Sequence, residues 1–135
     1  MNRFGRNSRK HLATVDGRLQ ELAHKVLRIK DHSIVKGHRP KDEQNAAFAS
    51  GASELEWPNG KHNAIPSEAL DARTYPAPET EQELREDQLY LLGLYKGVAS
   101  EMGIKIRTGG DWDRDGEIAD NDFDDFFHVE IDDGT

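Results

Sequence analysis

Histidine and acidic side chains are the metal-binding candidates in this sequence, because the chain contains no cysteine. Two histidines have neighbours that suit metal binding: His62 is followed by Asp71, and His128 lies three residues after Asp125. An aspartate inside an apolar strand is costly to bury without a partner, and a metal ion is one such partner. Residue type and spacing alone favour a metal site and an ordinary role about equally. We expect ordinary surface or core roles for His11, His24, His32 and His38.

A second group of acids lies between residues 111 and 122 and fits a twelve-residue calcium loop. Such a loop has acidic side chains at alternating early positions, glycine at the sixth position and a carboxylate at the twelfth. Gly116 and Ile118 stand at the sixth and eighth positions. The candidate calcium ligands are Asp111, Asp113, Asp115, Glu117 and Asp122. A solvated acidic loop is the alternative interpretation, and strands rather than helices are expected to flank the loop.

Apolar periodicity predicts the elements that position these residues. Asp16 is expected to cap one helix and Gly103 to end another, while His62 falls in a loop rich in proline and glycine. The predicted helices are Asn7–Leu12, 16–28, Lys41–Ser50 and Glu81–Met102, and the predicted strands are Ser33–Lys36, Ala69–Arg73, Ile104–Arg107 and Phe126–Ile131. This order predicts an α+β fold in which helices pack on a small, mostly antiparallel sheet.

Length and charge limit the classes of protein. A chain of 135 residues fits a single domain, residues 1–135. Residues 1–50 carry 11 Lys and Arg against 5 acids, whereas residues 101–135 carry 3 against 12, which argues against a nucleic-acid-binding protein. No segment approaches the roughly 18 apolar residues that span a bilayer, and Met1–Lys10 lacks the apolar middle of a secretory signal. We expect a monomer without membrane partners, made in the cytoplasm without its own export signal.

Five segments, in order along the chain, carry a resemblance to a known family. They are residues 4–15, 35–45, 60–71, 106–113 and 125–130. The second contains a glycine-any-arginine motif that ends at Arg39, and the third contains a His…Asp metal motif. Together they resemble the zinc peptidases that include D-alanyl-D-alanine carboxypeptidases and L-alanyl-D-glutamate endopeptidases, and most of all the small phage endolysins. In one departure, Gly60 stands where the family usually has serine.

The resemblance implies a role for each matching residue. It implies that His62, Asp71 and His128 bind zinc, that Asp125 is the catalytic carboxylate and that Arg39 steadies the substrate carbonyl. Arginine suits that role because it stays charged and donates from a planar fork.

Three further side chains leave alternatives open. Glu130 and Glu68 are alternatives to Asp125 as the catalytic carboxylate. Glu130 could instead form a hydrogen bond to a metal ligand on the side away from the metal. Gln44 could brace Arg39 from the following helix, although an exposed polar residue is the preferred interpretation.

The activity implied by the resemblance is hydrolysis of the L-alanyl-D-glutamate bond in the peptidoglycan stem peptide. An endolysin without an export signal would reach the cell wall, on the periplasmic side, through a membrane lesion made by another protein. A D-alanyl-D-alanine carboxypeptidase is the first alternative. A non-catalytic module that binds the wall or calcium is the second. No separate wall-binding domain is expected.

Overall fold

The computed structural model describes residues 1–117 and 125–134. The elements are α1 (Arg6–Leu12), α2 (Gly17–Leu27), β1 (His32–Lys36), α3 (Lys41–Ser50), a 3-10 turn (Lys61–Asn63), β2 (Ala69–Thr74), α4 (Glu81–Met102), β3 (Ile106–Thr108) and β4 (His128–Ile131). The four strands form one sheet in the order β1-β2-β4-β3, and each neighbouring pair is antiparallel. The predicted α+β class is confirmed.

The two long helices begin and end at residues that suit those positions. The side chain of Asp16 accepts a hydrogen bond from the backbone N–H of Arg18, 2.9 Å away, and caps α2. Thr80 caps α4 in the same way. Gly103 ends α4 with a φ of 74°, a conformation that glycine adopts without steric cost. No helix in the described residues is long and apolar enough to cross a membrane.

The core lies where α2 and α4 pack together and α4 packs on β2 and β3, while α1 covers β1. Apolar side chains from all these layers are almost wholly removed from water, which supplies the main favourable term in folding. The largest of them are Leu19, Leu22, Val26, Ile34, Leu70, Leu91, Tyr95 and Val129. This core holds the central strands β2 and β4 rigidly, and these strands carry two of the candidate metal ligands.

Five strand ends differ from the sequence prediction. β1 begins one residue earlier, and β2 and β3 each end one residue later. The two larger differences are at the starts of β3 and β4. β3 begins at Ile106 rather than at Ile104. β4 begins at His128 rather than at Phe126, because the residues before it form a turn. In this turn the backbone N–H of His128 donates to the carbonyl of Asp125 at 3.1 Å. Asp125 therefore lies just before the strand, on a turn, instead of inside the sheet.

Candidate metal centre

Strand register brings the three predicted metal ligands together. Asp71 of β2 pairs directly with His128 of β4, and the 3-10 turn supplies His62. The Oδ1 atom of Asp71 lies 3.3 Å from Nε2 of His62 and 3.6 Å from Nδ1 of His128. One ligand atom from each residue falls within 4.8 Å of the others. The three side chains, called the His–Asp–His cluster below, can hold one metal ion.

Hydrogen bonds on the far side of each ring orient the two histidines. Nδ1–H of His62 donates to the carbonyl of Gly37 at 2.8 Å. Nε2–H of His128 donates to a carboxylate oxygen of Glu130, also at 2.8 Å. In the neutral imidazoles that bind a metal, these bonds leave the lone pairs of His62 Nε2 and His128 Nδ1 facing the cluster. Histidines that ligate metals characteristically donate their second N–H to a carbonyl or carboxylate in this way.

The atoms of the cluster fit a cation. Within the described part of the chain, His62 Nε2 and Asp71 Oδ1 are buried and make no hydrogen bond. A buried polar atom without a partner costs about 1–3 kcal/mol, and a cation would satisfy both atoms at once. Two imidazoles and one carboxylate are a common protein ligand set for catalytic zinc, which keeps one further position open. The residues present therefore fit a zinc ion.

The charges in the cluster favour an ionised aspartate. Burial raises the pKa of Asp71, but the neighbouring His128 and His62 outweigh burial and hold this pKa well below its usual range. Burial lowers the pKa of His128, yet Asp71 and Glu130 outweigh it and raise this pKa to about 9. Asp71 is thus a carboxylate at any physiological pH, as a metal ligand must be.

Asp125 lies on the turn beside the cluster and lines the same cleft as His62 and His128. Its backbone N–H donates to the carbonyl of Gly109 at 2.9 Å, and Gly109 N–H donates to the carbonyl of His128 at 2.9 Å. A side chain on Gly109 would collide with the carbonyl of Asp125, so the close approach requires glycine. Burial, followed by the charge of Asp71, raises the pKa of Asp125 above its ordinary value.

Arg39 lies at the edge of the cluster. Its Nη2 atom is 3.9 Å from Asp71 Oδ2, and its Nη1 atom donates to Oε1 of Gln44 at 3.2 Å. The backbone N–H of Arg39 donates to the carbonyl of His62 at 2.8 Å, which ties the arginine to the metal-binding turn. The predicted arginine and the predicted ligands therefore share one site.

The preferred interpretation of Gln44 as an exposed polar residue is wrong, because its side chain is 1% exposed. Helix α3 buries this one residue among polar and small neighbours. Helix α3 has no apolar stripe, so the periodicity of its sequence does not show which side of the helix is buried. Gln44 is buried against polar partners and not against an apolar surface.

The two rival carboxylates have other partners. Glu130 accepts from His128 and from Arg107, whose Nη2 atom is 3.0 Å away. Its side chain thus supports a candidate metal ligand from behind. Glu68 is 39% exposed and pairs with Lys61 at 3.6 Å. Of these three acids, Asp125 is the one that lines the cleft without such an ion pair among the described residues.

Sequence reasoning missed Gln88, which interrupts the apolar face of α4. This side chain is 1% exposed. Its Oε1 accepts from the backbone N–H of Thr74 at 2.6 Å, and its Nε2 donates to the carbonyls of Ala72 and Phe126, both at 2.9 Å. The amide links the end of β2 to the turn that bears Asp125. Its position on the same helical stripe as Leu84, Leu91 and Tyr95 is the signal that could have revealed it.

The cluster opens into a cleft of about 850 Å³. One wall consists of residues 52–55, and Arg107 and Trp112 contribute to the lining. The Trp112 ring lies 5.1 Å from the His128 ring between centroids, and the Arg107 guanidinium lies 5.2 Å from the Trp112 ring centroid. A cleft of this volume, with polar groups at one point, is typical of a small-ligand or peptide-binding site.

The predicted calcium loop is described in part. One oxygen from each of Asp111, Asp113 and Asp115 lies within 4.8 Å of the others. Gly116, at the sixth position, has a φ of 81°, which suits the sharp turn of such a loop. Asp111 also accepts from Nζ of Lys96 at 3.0 Å. Glu117 is exposed, and Asp122 lies outside the described residues.

Comparison with known proteins agrees with this fold and identifies the family. The chain belongs to the phage L-alanyl-D-glutamate peptidase family, whose model matches residues 1–131. It is 32% identical over 120 residues to the L-alanyl-D-glutamate peptidase of Escherichia phage T5, and the alignment covers 87% of each protein. Its fold is similar to the crystal structure of the Serratia marcescens L-Ala D-Glu endopeptidase ChiX, with a TM-score of 0.76 at 21% identity. That match covers 97% of this chain and 90% of the Serratia chain. The family resemblance predicted from the five segments is confirmed.

Proposed function

We propose that this protein is a zinc-dependent endolysin that hydrolyses the L-alanyl-D-glutamate bond of the peptidoglycan stem peptide. The observation that carries the proposal is the His–Asp–His cluster, with buried and unsatisfied atoms on His62 and Asp71, at a cleft of about 850 Å³. Membership of the peptidase family supports the choice of bond. The proposal assigns the activity to one domain, residues 1–135, acting on the cell wall as a monomer.

His62, Asp71 and His128 would hold the zinc ion. When bound, zinc supplies Lewis-acid chemistry and lowers the pKa of water toward about 7. The ligand set is anchored from behind by Gly37 and Glu130. These bonds keep the imidazoles in one tautomer and one orientation through the reaction.

Asp125 would move the proton. Its carboxylate accepts the proton of the attacking water and then donates it to the amine that leaves as the peptide bond breaks. A carboxyl with an ordinary pKa holds a proton too weakly for the second step. Burial raises the pKa of Asp125, which brings its affinity for the proton closer to what both steps require.

Arg39 would bind the oxygen of the scissile carbonyl as negative charge develops on it. A fixed cation that faces this oxygen stabilises the transition state more than the ground state. Two hydrogen bonds support this role: the backbone N–H of Arg39 donates to the carbonyl of His62, and its guanidinium donates to Gln44.

Digestion of purified peptidoglycan tests the proposal. We expect the zinc-loaded protein to release muropeptides with a new carboxyl terminus on L-alanine and a new amino terminus on D-glutamate, identified by mass spectrometry. The His62→Ala variant should release none. Loss of only the terminal D-alanine would instead establish the carboxypeptidase alternative. Wall binding without cleavage, equal in both proteins, would establish the non-catalytic module.

We further propose calcium as a second cation, with Asp111, Asp113, Asp115, Glu117 and Asp122 as ligands. The convergence of three loop aspartates supports this proposal. The loop starts directly after β3, whose neighbour in the sheet is β4. Calcium binding would therefore support the position of Asp125, which follows the loop in the chain.

A further inference from the structure

The amide of Gln44 connects three parts of the site. Its Oε1 atom accepts from Nη1 of Arg39 at 3.2 Å and from Nδ2 of Asn63 at 3.1 Å. Its Nε2 atom donates to Oγ of Ser53 at 3.0 Å and to the carbonyl of Leu55 at 2.5 Å. A primary amide offers two donors and one oxygen with two acceptor positions. All four positions are used, and the side chain is 1% exposed.

Asn63 extends this connection to the metal-binding turn. Its Nδ2 atom also donates to the carbonyl of Arg39 at 3.0 Å, and its Oδ1 atom accepts from the backbone N–H of Gly60 at 2.8 Å. A Cβ atom on Gly60 would lie 2.9 Å from Asn63 Oδ1 and 3.1 Å from Gln44 Oε1. Glycine at this position therefore leaves room for the amide pair.

The hydrogen bond that Arg39 donates to Gln44 determines which N–H groups of the Arg39 guanidinium remain available to the substrate. Nη1 is held by the amide oxygen, while Nη2 lies 3.9 Å from Asp71 at the cluster. An arginine side chain loses rotamer entropy when it is fixed, and an anchored fork has lost part of it before substrate binds. Because the anchor is a neutral amide, it adds no negative charge to the one that Arg39 already faces at Asp71, whereas a carboxylate anchor would add a second.

We propose that Gln44 is a positioning residue, which holds the Arg39 guanidinium beside the His–Asp–His cluster and links it to the cleft wall at residues 53–55. The inference rests on the proposed function, because it assumes that Arg39 acts on the substrate carbonyl. It predicts that Gln44 influences catalysis through Arg39 and not through the metal ion.

A double-mutant cycle tests whether Gln44 acts through Arg39. Methionine at position 44 keeps the length of the side chain and removes all four hydrogen bonds. We expect Gln44→Met to lower kcat for a soluble muropeptide by about 10- to 100-fold, the range for a misplaced catalytic group, with little change in KM and an unchanged zinc content. In the Arg39→Ala background, the same substitution should lower kcat no further.

Gln88→Met is the matched control. Gln88 is buried to the same extent, at 1% exposed, but its partners are Thr74, Ala72 and Phe126. Whatever loss of kcat this substitution causes should persist in the Arg39→Ala background. A residue that only stabilises the fold behaves like this control.

Ser53→Ala covers the case in which Gln44→Met does not fold. It removes one acceptor of the Gln44 amide and leaves the glutamine in place. We expect a smaller loss of kcat, again absent in the Arg39→Ala background.

An unchanged kcat in Gln44→Met, or an equal loss with and without Arg39, would overturn the inference. If Arg39→Ala itself retained full kcat, the positioning role would fail, while cleavage of the L-alanyl-D-glutamate bond would still stand.

Discussion

Asp71 and His128 face each other across the ladder between β2 and β4, with Oδ1 of the aspartate 3.6 Å from Nδ1 of the histidine. Side chains alternate between the two faces of a strand, so a slip of one residue would separate this pair completely. Two of the three candidate metal ligands are therefore positioned by the sheet itself. The third, His62, depends on its bond to Gly37.

Asp71→Asn should abolish metal binding and activity together. The amide removes the negative charge that the two histidines face in the cluster. We expect zinc content, measured on the purified protein, to fall to background and muropeptide release to stop. Asp87→Asn is the control, because Asp87 is an aspartate that pairs with Lys30 away from the cleft. Full zinc content in the Asp71 variant would contradict the assignment of the ligands.

Removal of the metal should lower the thermal stability as well as the activity. A ligand that binds only the folded state stabilises it by about 2.7 kcal/mol at one hundred times its Kd. We expect a chelator to lower the Tm and added zinc to restore it. His62→Ala should show no response to either treatment. A Tm that does not change with zinc in the unaltered protein would exclude a zinc site in the folded state.

Asp125→Asn should separate catalysis from metal binding. Loss of a proton-transfer group typically lowers the rate by about 10²- to 10⁴-fold, and we expect this loss in kcat with a normal zinc content. Glu54→Gln is the matched control, since Glu54 is an exposed acid that lines the same cleft. Equal activity in the Asp125 variant and the unaltered protein would transfer the role to another group.

The buried His32 should make the protein less stable in mild acid. Burial lowers the pKa of His32 to about 4, from 6.5 in the unfolded chain. The unfolded state therefore binds more protons between these values, so stability is complete above pH 6.5 and falls as the pH drops toward 4. The loss amounts to at most about 3 kcal/mol.

Urea unfolding at several pH values between 4 and 7 measures this effect. The slope of the unfolding free energy against pH should be smaller in His32→Gln than in the unaltered protein. His32 accepts from the Tyr95 hydroxyl at 2.7 Å, so the variant will also lose some stability at every pH. The two proteins are therefore compared by the slope of the unfolding free energy against pH. Equal slopes would rule out His32 as the cause of the loss of stability in acid.

Calcium should raise the Tm of the zinc-loaded protein and increase its activity. Asp113→Asn together with Asp115→Asn should remove both responses, because these residues belong to the group of three loop aspartates. Glu101→Gln, a change of one acid on the exposed surface of α4, controls for general charge effects. Equal activity in zinc-replete buffer with and without a calcium chelator would end the proposal that calcium acts as a switch.

Much of the fold follows from local sequence. The bounds of α4 agree with the prediction because a capping threonine and a terminal glycine mark its ends. The turn before β4 is less visible, since Phe126 and Phe127 continue the apolar pattern of the strand. The pattern does not show that the Phe126 carbonyl is bound by Gln88 instead of by a neighbouring strand.

The candidate site could be predicted from the sequence only in part. Residue types and spacing supported a metal site and ordinary roles about equally, and the ordered segments of the family resemblance supplied the ligand set. The burial of Gln44 was predicted wrongly, and Gln88 was not recognised although it lies on the apolar stripe of α4. Their burial depends on polar partners from distant segments, and a search for apolar periodicity detects only apolar surfaces.

The strand order β1-β2-β4-β3 has a consequence for synthesis. Among the described strands β4 comes last in the chain, yet it occupies an inner position and separates β2 from β3. Until β4 has been synthesised, the sheet lacks the strand that joins β2 to β3, and the cluster lacks His128. The candidate site would therefore assemble only after β4 has left the ribosome and paired with both of its neighbours.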